Sequence, residues 1–204
     1  VFVSGNTTDE KGIFEMTGGT ISGNTSKGSN SEGGDGVAVD YYAEFVMSGG
    51  AISQNGATGS SSYGGGVYDN GTFTMSGDAM ISGNTGKYGG VYVTSGGKFI
   101  MSDGTITGNN GTDGGAGGVY IFPNDSGSSR MTVSGAAKIY DNRINGTASN
   151  LYIPDGSTTS NLITIGKMTI GEDGAKIGVS KGVLPTKDTN IEIGVGDTRT
   201  THVV

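Results

Sequence analysis

The sequence has no cysteine, no tryptophan and a single histidine, His202, in 204 residues. Without cysteine there are no disulfides and no thiolate metal sites, and the redox compartment stays open. With one histidine, no Ser-His-Asp set can be assembled except around His202. No run of about 18 apolar residues occurs, so no helix is expected to cross a membrane. Only 3 prolines are present and glycine follows no Gly-X-Y period, which excludes collagen. Basic residues are also scarce: 12 Lys and Arg against 19 Asp and Glu give a net charge of −7. That balance excludes the basic stripe on which nucleic-acid binding depends, and equally an anionic membrane surface. Hydrophobic residues make up 32% of the chain. Such a stock fills a wide core poorly and a narrow one, built from many short strands, well.

What is abundant is glycine, 42 residues, and an internal repeat. Three short apolar segments recur in fixed order, six times. The first is Val1-Phe2-Val3, Val37-Ala38-Val39, Val67-Tyr68-Asp69, Val91-Tyr92-Val93, Val119-Tyr120-Ile121 and Leu151-Tyr152-Ile153. The second is Phe14/Met16, Phe45/Met47, Phe73/Met75, Phe99/Met101, Met131/Val133 and Ile163/Ile165. The third centres on Ile21, Ile52, Ile81, Ile106, Ile139 and Ile170. From Met16 the second segment recurs after 31, 28, 26, 32 and 32 residues. Motif length is kept while the Gly/Ser/Asn-rich connections vary, as in a solenoid whose strands stack and whose loops protrude.

Each segment alternates with period 2, the pattern of a strand with one buried face. Phe73 and Met75 are expected to face in, with Thr72, Thr74 and Ser76 facing out. Three strands per turn, each pairing with its equivalent in the next turn, predict an all-β parallel β-helix of about six to seven coils. Asn24, Asn55, Asn84, Asn109 and Asn142 each stand three residues after the repeat isoleucine, with Asp173 in the sixth place. Asparagine tolerates the left-handed conformation of a sharp corner, and stacked amides can bond along the axis. An asparagine ladder is therefore expected. The pairs Gly65-Gly66, Gly89-Gly90 and Gly117-Gly118 mark a second corner, read as one of positive φ. Residues 1–180 form the repeat region. Residues 181–204, which include the strand-like Ile191-Glu192-Ile193-Gly194-Val195, form an irregular last coil or cap of the same domain. The chain opens at Val1 within a repeat motif and reads as part of a longer protein.

Met75-Ser76-Gly77, Ile81-Ser82-Gly83-Asn84-Thr85 and Gly89-Gly90-Val91-Tyr92-Val93 resemble the repeats of large adhesin-like surface proteins of Gram-positive, often gut-dwelling bacteria. The family resembles the pectin-lyase-like β-helix superfamily. The resemblance implies a right-handed helix and an extracellular, surface-displayed or secreted location. It also implies a non-enzymatic structural or adhesive role, with a host protein, a glycan or further repeats of the same chain as partners. Because the superfamily also holds polysaccharide lyases and hydrolases, the alternative is a carbohydrate-active enzyme or carbohydrate-binding module.

The residues favour no catalyst, and no cofactor or metal site is expected. Lyases of the fold, by resemblance, use an Arg or Lys base beside acid-bound Ca²⁺. Here Arg130 aligns with Lys98 and Leu162, and Arg143 and Arg199 are the other arginines. Asp40 and Asp69 are the best carboxylate pair, read as solvated strand ends in adjacent coils. Asp35, Asp113, Asp125 and Asp155 are scattered in Gly-rich loops and lack the spacing of a calcium loop. The surface feature that stands out is an aromatic column, Tyr68, Tyr92, Tyr120 and Tyr152. Phe2 holds the same place in the first copy and Ala38 interrupts the column. If the flanking Val and Ile face in, these rings face out, either as structure or as a platform for sugar rings or a protein.

Overall fold

The computed structural model describes residues 1–26, 34–56, 63, 65–112, 116–122, 130–153, 163–169, 172–181 and 194–195. These residues form parallel sheets in which each strand lies against its equivalent one repeat away. The first segments make a seven-stranded sheet, in the order Phe2–Val3, Val37–Val39, Val67–Asp69, Val91–Val93, Val119–Ile121, Leu151–Ile153 and Val179–Lys181. Registers are direct: Val67 pairs with Val91 and Val91 with Val119.

The second and third segments share one eleven-stranded sheet. In the first two repeats they run together as single strands, Gly12–Ser22 and Ala43–Ser53. From the third repeat they separate, as Thr72–Met75 and Met80–Ser82, then Lys98–Met101 and Thr105–Thr107. The bend between them carries a glycine of positive φ in each of the first five repeats: Gly19 (82°), Gly50 (82°), Gly77 (56°), Gly104 (91°) and Gly135 (60°). A side chain at these positions would strain the backbone. A fourth, shorter set of strands follows the asparagine: Thr85–Gly86, Asn110–Gly111 and Arg143–Ile144, parallel to one another. Each of these repeats thus has one short strand more than the three expected.

Alternation fixes what is buried. Phe45, Phe73 and Phe99 are fully buried, as are Met47, Met75, Met101, Ile52, Ile81, Ile106 and Ile139. The rings of Phe14, Phe45, Phe73 and Phe99 lie nearly parallel, with centroids 5.2, 4.9 and 4.8 Å apart. That is the spacing of neighbouring strands, about 4.8 Å, so the backbone ladder sets the stacking distance. The sixth isoleucine differs from the expectation. Ile139 pairs with Ile177, whereas Ile170 lies outside the described residues. Val179–Lys181 then takes the first-segment place of a seventh repeat, and Gly194–Val195 pairs with Ile163–Met168. Gly194 and Val195 end the strand expected at 191–195; residues 182–193 and 196–204 lie outside the described residues.

The asparagines form the expected ladder. The backbone N–H and side-chain Nδ2 of each donate to the Oδ1 of the next: Asn24 to Asn55 (3.1 and 2.8 Å), Asn55 to Asn84 (3.0 and 3.0 Å), and Asn84 to Asn109 (3.0 and 2.9 Å). Asn109 does the same to Asn142, at 3.0 and 2.9 Å. Each buried Nδ2 also reaches the carbonyl of the isoleucine one repeat back, as Asn84 does to Ile52 O at 2.9 Å.

Three corner expectations need correction. The left-handed residue is not the asparagine but the one before it: Gly23, Gln54, Gly83, Gly108 and Asp141. This turns the asparagine side chain inward, where its amide is used. Asp173 is exposed and takes no rung. The acceptor after Asn142 is Asn150, at 2.8 and 3.2 Å. A hairpin brings it there: Arg143–Ile144 pairs antiparallel with Thr147–Ala148 across Asn145 and Gly146, both of positive φ, as a two-residue hairpin turn requires. The glycine pairs, finally, are needed for room rather than for φ. A Cβ on Gly66 would stand 2.5 Å from Gly90 O and 3.1 Å from Asn84 Nδ2, and one on Gly90 2.5 Å from Gly118 O.

Candidate functional site

The tyrosine column forms on the outer face of the first sheet. Tyr68, Tyr92, Tyr120 and Tyr152 are register partners, with centroids 5.7 Å apart at each step. The flanking Val67, Val91, Val93 and Val119 point into the core and are fully buried. Alternation thus fixed the inward set. The column is not, however, an open stripe. Tyr92 and Tyr120 are only 7% and 8% exposed, while Tyr68 and Tyr152 at the ends are half-buried.

The cover is a second layer. Tyr88 stacks on Tyr92 at 4.4 Å and on Tyr120 at 4.2 Å, and Tyr63 stacks on Tyr92 at 5.4 Å. Ala116, fully buried, completes the layer. The Lys87 ammonium lies 5.1 Å from the Tyr63 centroid and 5.7 Å from that of Tyr88, within cation–π range. Burial among these rings drives the Tyr92 phenol far above its ordinary range, with the neighbouring Tyr88 adding to the effect. The arrangement is a small aromatic core outside the sheet. The covering residues stand just before the glycine pairs: Tyr63 before Gly65-Gly66, Tyr88 before Gly89-Gly90 and Ala116 before Gly117-Gly118. That shared position was the available signal. The glycines let successive turns approach closely enough for residues ahead of them to fold over the column.

Asp40 and Asp69 are not equivalent. Asp69 pairs with Val39 and Val93 and so belongs to the inward column, fully buried. Asp40 is half-buried, one residue further on, where its Oδ1 accepts the Tyr41 N–H at 2.8 Å. The expectation of two solvated strand ends therefore fails for Asp69: the residues facing it along the stack are Val39 and Val93. Burial pushes its carboxyl up to about 8, against the opposing influence of the Gly71 and Lys98 N–H groups and the Arg130 charge. A perturbed acid is often a functional one, but Asp69 has no surface open to a substrate.

Arg130 also differs from Lys98, the exposed residue with which it aligns. It is buried, and its Nη1 donates to Thr94 O at 2.9 Å and Gly97 O at 3.3 Å. Arg143 is exposed and donates to Gly146 O at 2.8 Å. Asp35 is buried and accepts the Ser26 N–H at 3.2 Å. Among the described residues, no three His, Cys, Asp or Glu side chains are grouped to hold a metal ion. Asp113, Asp125, Asp155, Arg199 and His202 lie outside the described residues. Comparison of the chain with protein-family models, with curated proteins and with solved structures finds no match.

Proposed function

We propose that the chain is a segment of a right-handed parallel β-helix that serves as a stiff, non-enzymatic stalk of an adhesin-like protein displayed outside a bacterial cell. The observation that carries this reading is the continuous stack Phe14, Phe45, Phe73 and Phe99 beside the asparagine ladder. A structure with one repeated cross-section resists bending along its axis and lengthens by adding turns. Right-handedness follows from the general hand of parallel crossovers and from the resemblance of the repeat. Partners under this reading are further repeats of the same chain and a host surface protein or glycan. The test is localisation: an antibody raised against the chain should label intact cells of the source organism. Label confined to lysed cells would overturn the proposal.

A second reading, a carbohydrate-binding module or polysaccharide-active enzyme, draws on Tyr68 and Tyr152, whose half-exposed rings end the aromatic column. Sugar rings stack on such edges. On a glycan array this reading predicts binding that Tyr152→Ala abolishes, and binding to no glycan removes it.

A further inference from the structure

The corner between the first and second segments holds two buried groups, each with one polar atom lacking a hydrogen-bond partner: Asp69 Oδ2 and Arg130 Nε. They come from different repeats, the third and the fifth. Asp69 ends the strand Val67–Asp69 and offers its Oδ1 to the Gly71 N–H at 3.1 Å. Arg130 precedes Met131–Gly135 and spends Nη1 on two carbonyls of the intervening fourth repeat, Thr94 O and Gly97 O. Gly97 is what admits them, since a Cβ there would meet the Asp69 backbone and stand 3.0 Å from Val93 Cγ1. The two unpartnered atoms are complementary, an acceptor and a donor, and buried polar groups without partners are rare in folded proteins.

We propose that Asp69 and Arg130 form a proton-controlled clamp across three repeats. With the carboxyl neutral, Arg130 stays on the Thr94 and Gly97 carbonyls and the corner is closed. Loss of the proton leaves a buried carboxylate, which draws Arg130 Nε toward Oδ2 and loosens its hold on the fourth repeat. The other charged groups around the corner do not compete. Lys98 and Glu44 alternate with the buried Phe99 and Phe45 and so stand on the opposite face. Asp40 is bound to the Tyr41 N–H. The adjoining strands Val37–Val39, Val91–Val93 and Thr72–Met75 carry no charged side chain.

The sign follows from the raised carboxyl value, about 8 against 3.8 for an exposed aspartate. Between those values the folded chain holds a proton that the unfolded chain has released. The contribution of Asp69 to stability is therefore full below pH 3.8 and declines as pH rises toward 8, by up to about tenfold in the folding constant per pH unit. The experiment is urea unfolding of the parent, Asp69→Asn and Asp69→Val from pH 4 to 9, with carbon-13 NMR of the Asp69 carboxyl in the parent. The parent should lose stability relative to both variants as pH rises, and the carboxyl should titrate near pH 8. A variant-to-parent difference that stays flat with pH, or a carboxyl midpoint below about 5, would overturn the clamp. If neither variant folds, nitrogen-15 NMR of the Arg130 Nε in the parent decides: its shift should follow the carboxyl titration, and a shift that stays flat from pH 4 to 9 would overturn the clamp.

Discussion

Asn109 Oδ1 takes two hydrogen bonds from Asn84, one from its backbone N–H at 3.0 Å and one from Nδ2 at 2.9 Å. One side-chain oxygen thus ties down both the main chain and the side chain of the preceding repeat, and the same pair of hydrogen bonds recurs at each step from Asn24 to Asn142.

Asn84→Ala removes the acceptor of the Asn55 N–H and the donor to Ile52 O, in a site with no access to water. The loss should be about 2–4 kcal/mol, from two buried groups left unpaired. Asn24→Ala, at the exposed end of the ladder, should lose about 1 kcal/mol or less. Urea unfolding of the two variants checks the contrast. Equal losses would mean that the ladder does not act through burial.

Gly90→Ala sets a methyl group 2.5 Å from Gly118 O and 3.2 Å from Asn109 Nδ2. The turns must part to admit it, so a loss of about 1–3 kcal/mol is expected. Gly18→Ala, with no atom within 4 Å of the new Cβ, should stay within about 0.5 kcal/mol of the parent. Thermal unfolding of the pair separates crowding from any general cost of replacing glycine in this chain.

Gln54 holds φ at 55°, as Asp141 holds 54° in the fifth repeat, where the first, third and fourth repeats use Gly23, Gly83 and Gly108. A left-handed side-chain residue costs about 1–2 kcal/mol, partly offset by the greater freedom glycine loses on folding. Gln54→Gly should raise stability by about 0.5–1 kcal/mol. A lower unfolding midpoint would show that the side chain of Gln54 contributes more than its backbone strain removes.

Tyr88 and Tyr92 stack at 4.4 Å. A double-mutant cycle with both replaced by alanine should give a coupling of about 0.5–1.5 kcal/mol. A coupling near zero would mean that Tyr88 does not rest on Tyr92 in solution.

Much of the architecture was legible because it repeats. Phe45, Phe73 and Phe99 share both a spacing and a polar alternation, and a two-residue period leaves no other face to bury. The asparagine ladder was visible from one fixed offset, three residues after each isoleucine. The functions of single residues at the corners were not visible. Asp173 sits at the right offset, yet the Asn145-Gly146 hairpin delivers Asn150 to the rung instead, a reversal that counting along the chain cannot see. Gly89-Gly90 suggested unusual backbone angles, whereas the constraint is a neighbour's carbonyl, a tertiary contact. Asp69 stands in a strand-end position that looks solvent-facing beside Asp40, and only pairing with Val39 and Val93 reveals it as an inward one. The tyrosine column was legible, but its cover was not, because Tyr63 and Tyr88 come from connections whose lengths vary between repeats.

The central claim is that successive repeats lie in direct register, one strand spacing apart, and cysteine cross-linking tests it in a chain that has no cysteine of its own. Thr74 and Ile100 are register partners, and Ile100 in turn pairs with Thr132. Adjacent strands place partner Cα atoms about 4.8 Å apart, within disulfide reach, and strands two repeats apart at about twice that, beyond it. Under mild oxidation, Thr74→Cys with Ile100→Cys should close an intramolecular disulfide in the folded monomer, and Thr74→Cys with Thr132→Cys should not. Failure of the first pair to close, or efficient closure of the second, would contradict the stack.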